Sequence, residues 1–279
     1  MKNILKIMLM MITIFTIAGS AVYAAEIPVS DQDQLITSSD WTEISNLQDE
    51  MKKEEPDATI DYDKALKVYV DCNLIKLQTA DTKKLTSALE SANYVWVIPF
   101  KMEKTYGMFT VAKGLPLREE AKSVLTKAEQ EEVKNHAGKW MITEIAEHTV
   151  EPYYDILLEK REALSDCTRV VLVGSQPGMR QPVALGMDDE TARIWISLGY
   201  QYPVMEKIPE TQNVESGVYS FDSVAEISDT YIEDSEVSTG VGVQSRSSMK
   251  YVAGIGIIVI GSILIFSVLK KKKLEQSGE

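Results

Sequence analysis

The chain has 279 residues, with 29 Lys and Arg against 42 Asp and Glu and a formal net charge of −13. An acid excess excludes a nucleic-acid binder, because phosphate contacts require a basic face. Fifteen Gly, nine Pro and two Cys exclude collagen-like, low-complexity and disulfide-dense chains, and the length accommodates one domain or two.

Residues 1–24 carry the parts of a secretory signal peptide. Lys2 and Lys6 precede an apolar run from Ile7 to Ala18, and Val22-Tyr23-Ala24 supplies the residues a signal peptidase reads, so cleavage is expected between Ala24 and Ala25. Residues 25–58 are polar. Their one helical candidate, Trp41 to Lys53, opens on Asp40 as N-cap with Glu43 at the capping-box position. Its few apolar positions read as a peripheral leader outside the core.

Residues 59–205 are of single-domain size and mix two periods. Leu66, Val68, Val70 and Cys72 alternate with Lys67, Tyr69 and Asp71, the pattern of a half-buried strand. Asp81 caps a helix to about Ala92, and Tyr94 to Phe100 reads as a strand whose Pro99 points to a sheet edge or a bulge. A hairpin loop leads to a strand over Met108–Ala112. Thr126 and Glu129 form a capping box for a helix that ends near Gly138. Trp140–Glu147 is ambiguous between helix and strand, and Ile142 and Thr143 after the glycine favour strand. Pro152 opens a helix from Tyr153 to Ser165. Strands follow over Thr168–Gly174, Pro182–Gly186 and Thr191–Leu198. This order predicts an α+β fold: a single extracytoplasmic domain whose mainly antiparallel sheet is covered by helices on one face.

Residues 206–250 read as an acidic, Ser/Thr-rich stalk. From Pro209 onward they hold eight acidic, two basic and twelve Ser or Thr residues, too polar to offset the entropy of ordering. Within it Phe221, Val224 and Ala225 share one helical face that can dock on the domain.

Residues 251–269 are the membrane anchor. Val252–Leu269 is an uncharged stretch of 18 residues, about 27 Å as a helix, close to the thickness of a bilayer core. Tyr251 marks its outer boundary, and Lys270, Lys271, Lys272 and Lys273 open the basic tail, 270–279. By the positive-inside rule the lysines stay in the cytoplasm, so the expected protein is single-pass, its domain extracellular and its first partner the lipid bilayer. No Asn-x-Ser/Thr sequon occurs, and with the Lys-rich tail this points to a bacterial surface protein of Gram-positive layout. Divided by compartment, Ala25–Lys250 holds 23 basic and 40 acidic residues, a net charge of −17.

Glu236-Val237-Ser238-Thr239-Gly240, followed by the span and the lysines, resembles the order of parts in a sortase cell-wall sorting signal. Only Thr239 and Gly240 match the usual Leu-Pro-x-Thr-Gly. The resemblance implies cleavage between Thr239 and Gly240; a retained anchor is the simpler reading.

Candidate chemistry is sparse. Cys72 and Cys167 both lie on the oxidising side. A disulfide would close a loop of about 95 residues, and two separate buried thiols are the alternative. His148 with Glu144 would make a partial metal site on a helix, but not on a strand, and no His-Glu-x-x-His or Cys/His cluster supports it, so no metal and no cofactor is expected. Gly174-Ser175-Gln176-Pro177-Gly178 lacks the Gly-Lys-Ser/Thr of a phosphate loop and reads as a turn between strands. The outward positions of the last strand carry Arg193 and Trp195, with Tyr200 and Tyr202 beyond, residue types that dominate binding surfaces. The sequence therefore favours a binding or interaction domain for an envelope protein or a glycan over an enzyme. A surface hydrolase, and a sensor relaying through a membrane partner, are the competing readings.

Overall fold

The computed structural model describes residues 27–234, except 104, 149–150, 175, 177–178, 180, 200–206 and 209–212, and the side chains of 120, 147–148, 213–215 and 229–234. Residues 1–24, read from the sequence as a signal peptide, and Tyr200, Tyr202, Thr239, Gly240, Tyr251 and Lys270–Lys273 lie outside the described residues. Among those described, no helix is long and apolar enough to cross a membrane.

The fold is α+β, built on one large, mainly antiparallel sheet. Its strands are β1 (Thr59–Ile60), β2 (Leu66–Tyr69), β3 (Tyr94–Lys101), β4 (Tyr106–Lys113), β5 (Trp140–His148), β6 (Arg169–Val173), β7 (Val183–Met187), β8 (Ala192–Ser197), β9 (Asn213–Glu215) and β10 (Val218–Ser220). They lie in the order β5-β4-β3-β2-β6-β7-β8-β10-β9, with β1 extending β2's side of β3. The β2–β6 ladder is parallel, and the other ladders among these strands are antiparallel. The helices are α1 (Trp41–Ile44), α2 (Gln48–Glu54), α3 (Thr82–Glu90), α4 (Glu119–Lys122), α5 (Lys127–His136), α6 (Tyr153–Glu159) and α7 (Phe221–Asp234).

Local chemistry sets several boundaries. Asp81 accepts a hydrogen bond from the Lys84 N–H at 3.1 Å and starts α3. Thr126 and Glu129 complete the capping box of α5, and Gly138, at φ 74°, occupies the left-handed conformation beyond its end. Helix α6 stops at Glu159, with turns rather than helix continuing to Asp166. Pro99 lies in an interior strand, not at an edge. Its carbonyl accepts from the Asp61 N–H, and it lies between the β1 ladder at Phe100–Lys101 and the β2 ladder at Tyr94–Val97, so the N–H it lacks falls where regular pairing on that side is interrupted.

Both faces of the sheet are covered, whereas the sequence pattern suggested one. On the first face Leu35, Ile44 and Met51 are fully buried against Trp96, Ile98, Phe100 and Phe109, while α3 and α7 press Leu85, Leu89, Phe221 and Val224 onto β6–β8. On the second, Tyr153 and Leu157 of α6 meet Val170, Leu172 and Ile196. The leader is therefore core, which corrects its reading as peripheral. Each fully buried Leu, Ile or Met side chain contributes about 1.5–3 kcal/mol, enough for three spaced residues to hold a segment of otherwise polar turns.

The domain also continues past residue 205. Strand β10 pairs Tyr219 with Trp195 and Val218 with Ile196, and α7 starts directly after it, so the chain to Asp234 belongs to the fold rather than to a stalk. The docking face of Phe221 and Val224 is where the helical periodicity placed it.

Candidate functional site

Strand β5 carries an irregularity that shapes the site. Thr110 pairs with Glu144 and Val111 with Ile142, leaving Thr143 as an extra residue. Its hydroxyl donates to the Thr110 carbonyl at 3.1 Å. The bulge lets Ile142 and Ile145, three apart and suggestive of a helix, both pack towards the leader's core cluster. Glu144 lies between them in sequence and turns to the opposite face.

There it joins a groove. Val68 of β2 and Val70 just beyond it, Val95 and Val97 of β3 and Met108 of β4 form an apolar floor, with Glu144 and Ala146 of β5 on one side and Tyr153 and Pro182 on the other. The cavity holds about 80 Å³. Burial pushes the Glu144 carboxyl above the ordinary carboxylate range, and the Thr110 hydroxyl, donating at 3.5 Å, pulls it back only partly. Among the described residues Glu144 has no cationic partner.

The domain's buried acids, Asp33 and Asp40, differ. Asp33 accepts from Ser30 at 2.6 Å, Tyr69 at 2.7 Å and Arg169 at 3.0 Å, with Lys67 at 3.8 Å. Asp40 accepts from Tyr94 at 2.8 Å and the Trp96 indole at 3.0 Å, with Lys113 at 4.0 Å. Lys67, its ammonium 4.5 Å from the Tyr94 ring centre, is lowered by burial more than the two aspartates raise it. These groups bind the leader to the sheet. Their hydrogen bonds are made within the fold, which marks a structural network.

A wider depression of about 340 Å³ lies between the segment after β2 and the end of α3. Its acid, Asp71, is at φ 55° and accepts from both the backbone and side-chain N–H of Asn93. Gln176 is buried beside it, accepting from the Leu74 N–H and donating to the Cys72 and Gly174 carbonyls. The polar groups there close the loop on itself.

The residues singled out in the sequence separate. Trp195 is fully buried and stacks on Phe221 at 5.6 Å and 10°, so it belongs to the covering of α7 and not to an exposed row. Arg193 is exposed, and its Nε donates to Asp188 at 2.5 Å. Backbone N–H groups of Thr191 and Glu190, and after them Arg193, hold the Asp188 carboxyl below the usual range, as suits a turn cap. Cys72 and Cys167 are free and buried on opposite faces of the sheet, Cys72 with Leu85 and Val173, Cys167 with Leu164 and Val170. The sheet between them prevents a bridge. No group of metal-binding residues occurs among the described residues. Sequence reasoning passed over Glu144 as a binding residue because it weighed it only as a ligand beside His148; the signal available was an acid alternating with apolar residues in a strand. No protein-family model, curated protein or solved structure matches the chain.

Proposed function

We propose that this chain is a bacterial cell-surface protein, secreted by its N-terminal signal and held by a single transmembrane helix at 251–269, whose ectodomain binds a macromolecular partner through the groove beside Glu144. The observation that carries the binding reading is the combination of an apolar floor with one half-buried carboxyl that has no cationic partner among the described residues. A few apolar contacts and one oriented polar group are the usual recipe for recognition. The size bears on the kind of ligand. Small-molecule pockets run to roughly 300–1,000 Å³, whereas about 80 Å³ accommodates the head of a single side chain. A protein partner in the envelope fits this better than a free metabolite, and the burial of Trp195 takes that residue out of the aromatic row that would have favoured a glycan.

Topology and binding are tested together in intact cells carrying an epitope after Glu279. Antibody to the domain should label unpermeabilised cells, and antibody to the epitope only permeabilised ones. Labelling of the tail on intact cells would overturn the anchored arrangement. The groove substitution Met108→Lys, in a folded and displayed protein, should abolish partner capture; retained capture would overturn the groove as the binding site.

A further inference from the structure

We propose that the free edge of β5 is a strand-addition site for an extended polypeptide of another protein in which basic and apolar residues alternate, the basic ones lying beside Glu144. This rests on the reading of the groove as the binding site.

Three observations converge. Strand β5 spans nine residues and pairs only with β4 among the described strands, whereas the opposite edge, β9, has three. Nine residues present about 30 Å of unpaired backbone donors and acceptors. The groove reaches this edge strand, because Glu144 and Ala146 of β5 line it. A strand laid along β5 would place alternate side chains within about 5 Å of them.

The charge pattern selects the occupant. Asp33, Asp40, Asp155 and Asp188 each have a Lys or Arg of this chain within 4.0 Å. Among the described residues Glu144 has none, so an incoming Lys or Arg would complete the same arrangement and stabilise the ionised carboxylate. On the other face Ile142 and Ile145 are only half covered, which calls for apolar residues at the intervening positions. A second copy of β5 fits poorly, since it would set acidic strands side by side in ectodomains of net charge −17. The opposing physical reading is that an inward-facing acid and a bulge protect the edge from pairing at all.

The test uses the detergent-solubilised full chain and three synthetic heptapeptides: alternating Lys-Val, alternating Glu-Val, and the Lys peptide with Pro in place of Val. Binding is read by anisotropy and by hydrogen exchange of Met141–Ala146. The Lys-Val peptide should bind at least tenfold tighter than either control and slow exchange in β5. Glu144→Gln should remove most of that preference, and Glu144→Lys should transfer it to the Glu-Val peptide. Equal binding of the Pro peptide, protection elsewhere than β5, or an unchanged preference in Glu144→Gln would overturn the proposal. So would β5 protection that rises with protein concentration without peptide, which would indicate self-pairing, and so would peptide-free aggregation of Glu144→Gln without peptide binding, the signature of a protective acid. If no peptide binds while Met108→Lys still abolishes partner capture, strand addition is wrong and the groove reading stands; if both fail, both are wrong.

Discussion

The Tyr69 hydroxyl donates to Asp33 at 2.7 Å, joining a strand in the middle of the sheet to a turn of the N-terminal segment 36 residues earlier. Around that contact Arg169 and Lys67 balance the carboxylate, so the leader is locked down by charge as well as by Leu35, Ile44 and Met51.

Removing the acid should therefore cost more than removing the hydroxyl. Asp33→Ala leaves two half-buried cations uncompensated and should destabilise the fold by about 3–5 kcal/mol, while Tyr69→Phe should cost about 1–3 kcal/mol. Urea unfolding followed by tryptophan fluorescence measures both, and the reverse order would show that Asp33 is not the centre of the network.

Truncation of the leader's core residues should behave as truncation in any core. Leu35→Ala is expected to cost about 2–5 kcal/mol. Ile36→Ala, at a neighbouring exposed position, should leave stability nearly unchanged. Equal small effects would return the leader to the periphery.

The two thiols should be silent in the native state. Burial, the largest cause for each, pushes Cys72 up to about 12 and Cys167 up to about 11, so both stay protonated near neutral pH. A thiol reagent should label neither rapidly under native conditions and both in denaturant without reductant. A single protected pair that labels only after reduction would mean that a disulfide forms.

Glu144 gives a pH dependence of definite sign. Its carboxyl is raised in the fold, so between its ordinary value near 4.5 and the raised one the folded state binds more protons than the unfolded state. Its contribution to stability is complete below that window and is lost as pH rises through it. Asp188 and Glu129 are shifted the other way, so the difference between wild type and Glu144→Gln isolates the effect. That difference should grow in favour of Glu144→Gln as pH rises from acid to neutral. A pH-independent difference would contradict the burial of Glu144.

What the sequence made legible was local. Asp81, the Thr126–Glu129 box, Gly138 and the alternation of the central strands each state their structure within a few residues. What it hid was tertiary. Arg193, Trp195 and Ser197 alternate with Ile194 and Ile196, and alternation identifies an exposed face only if the other side of the sheet is bare; with α7 above it, Trp195 goes inside. Leu35, Ile44 and Met51 do not register as one face, because Leu35 precedes the helical candidate and the segment is broken into a turn and two short helices, α1 and α2, rather than one helix. The bulge at Thr143 breaks the strand period just where Glu144 is aimed into the groove.

The groove at the β5 edge is tested most directly by a photo-crosslinking residue at Ala146, compared with one at Val124, which is exposed on the segment between α4 and α5, in cells displaying the full chain. Adducts should form from position 146, not from 124, and excess Lys-Val peptide should suppress them. Equal yields from the two positions, or adducts at 146 that the peptide leaves unchanged, would contradict the account.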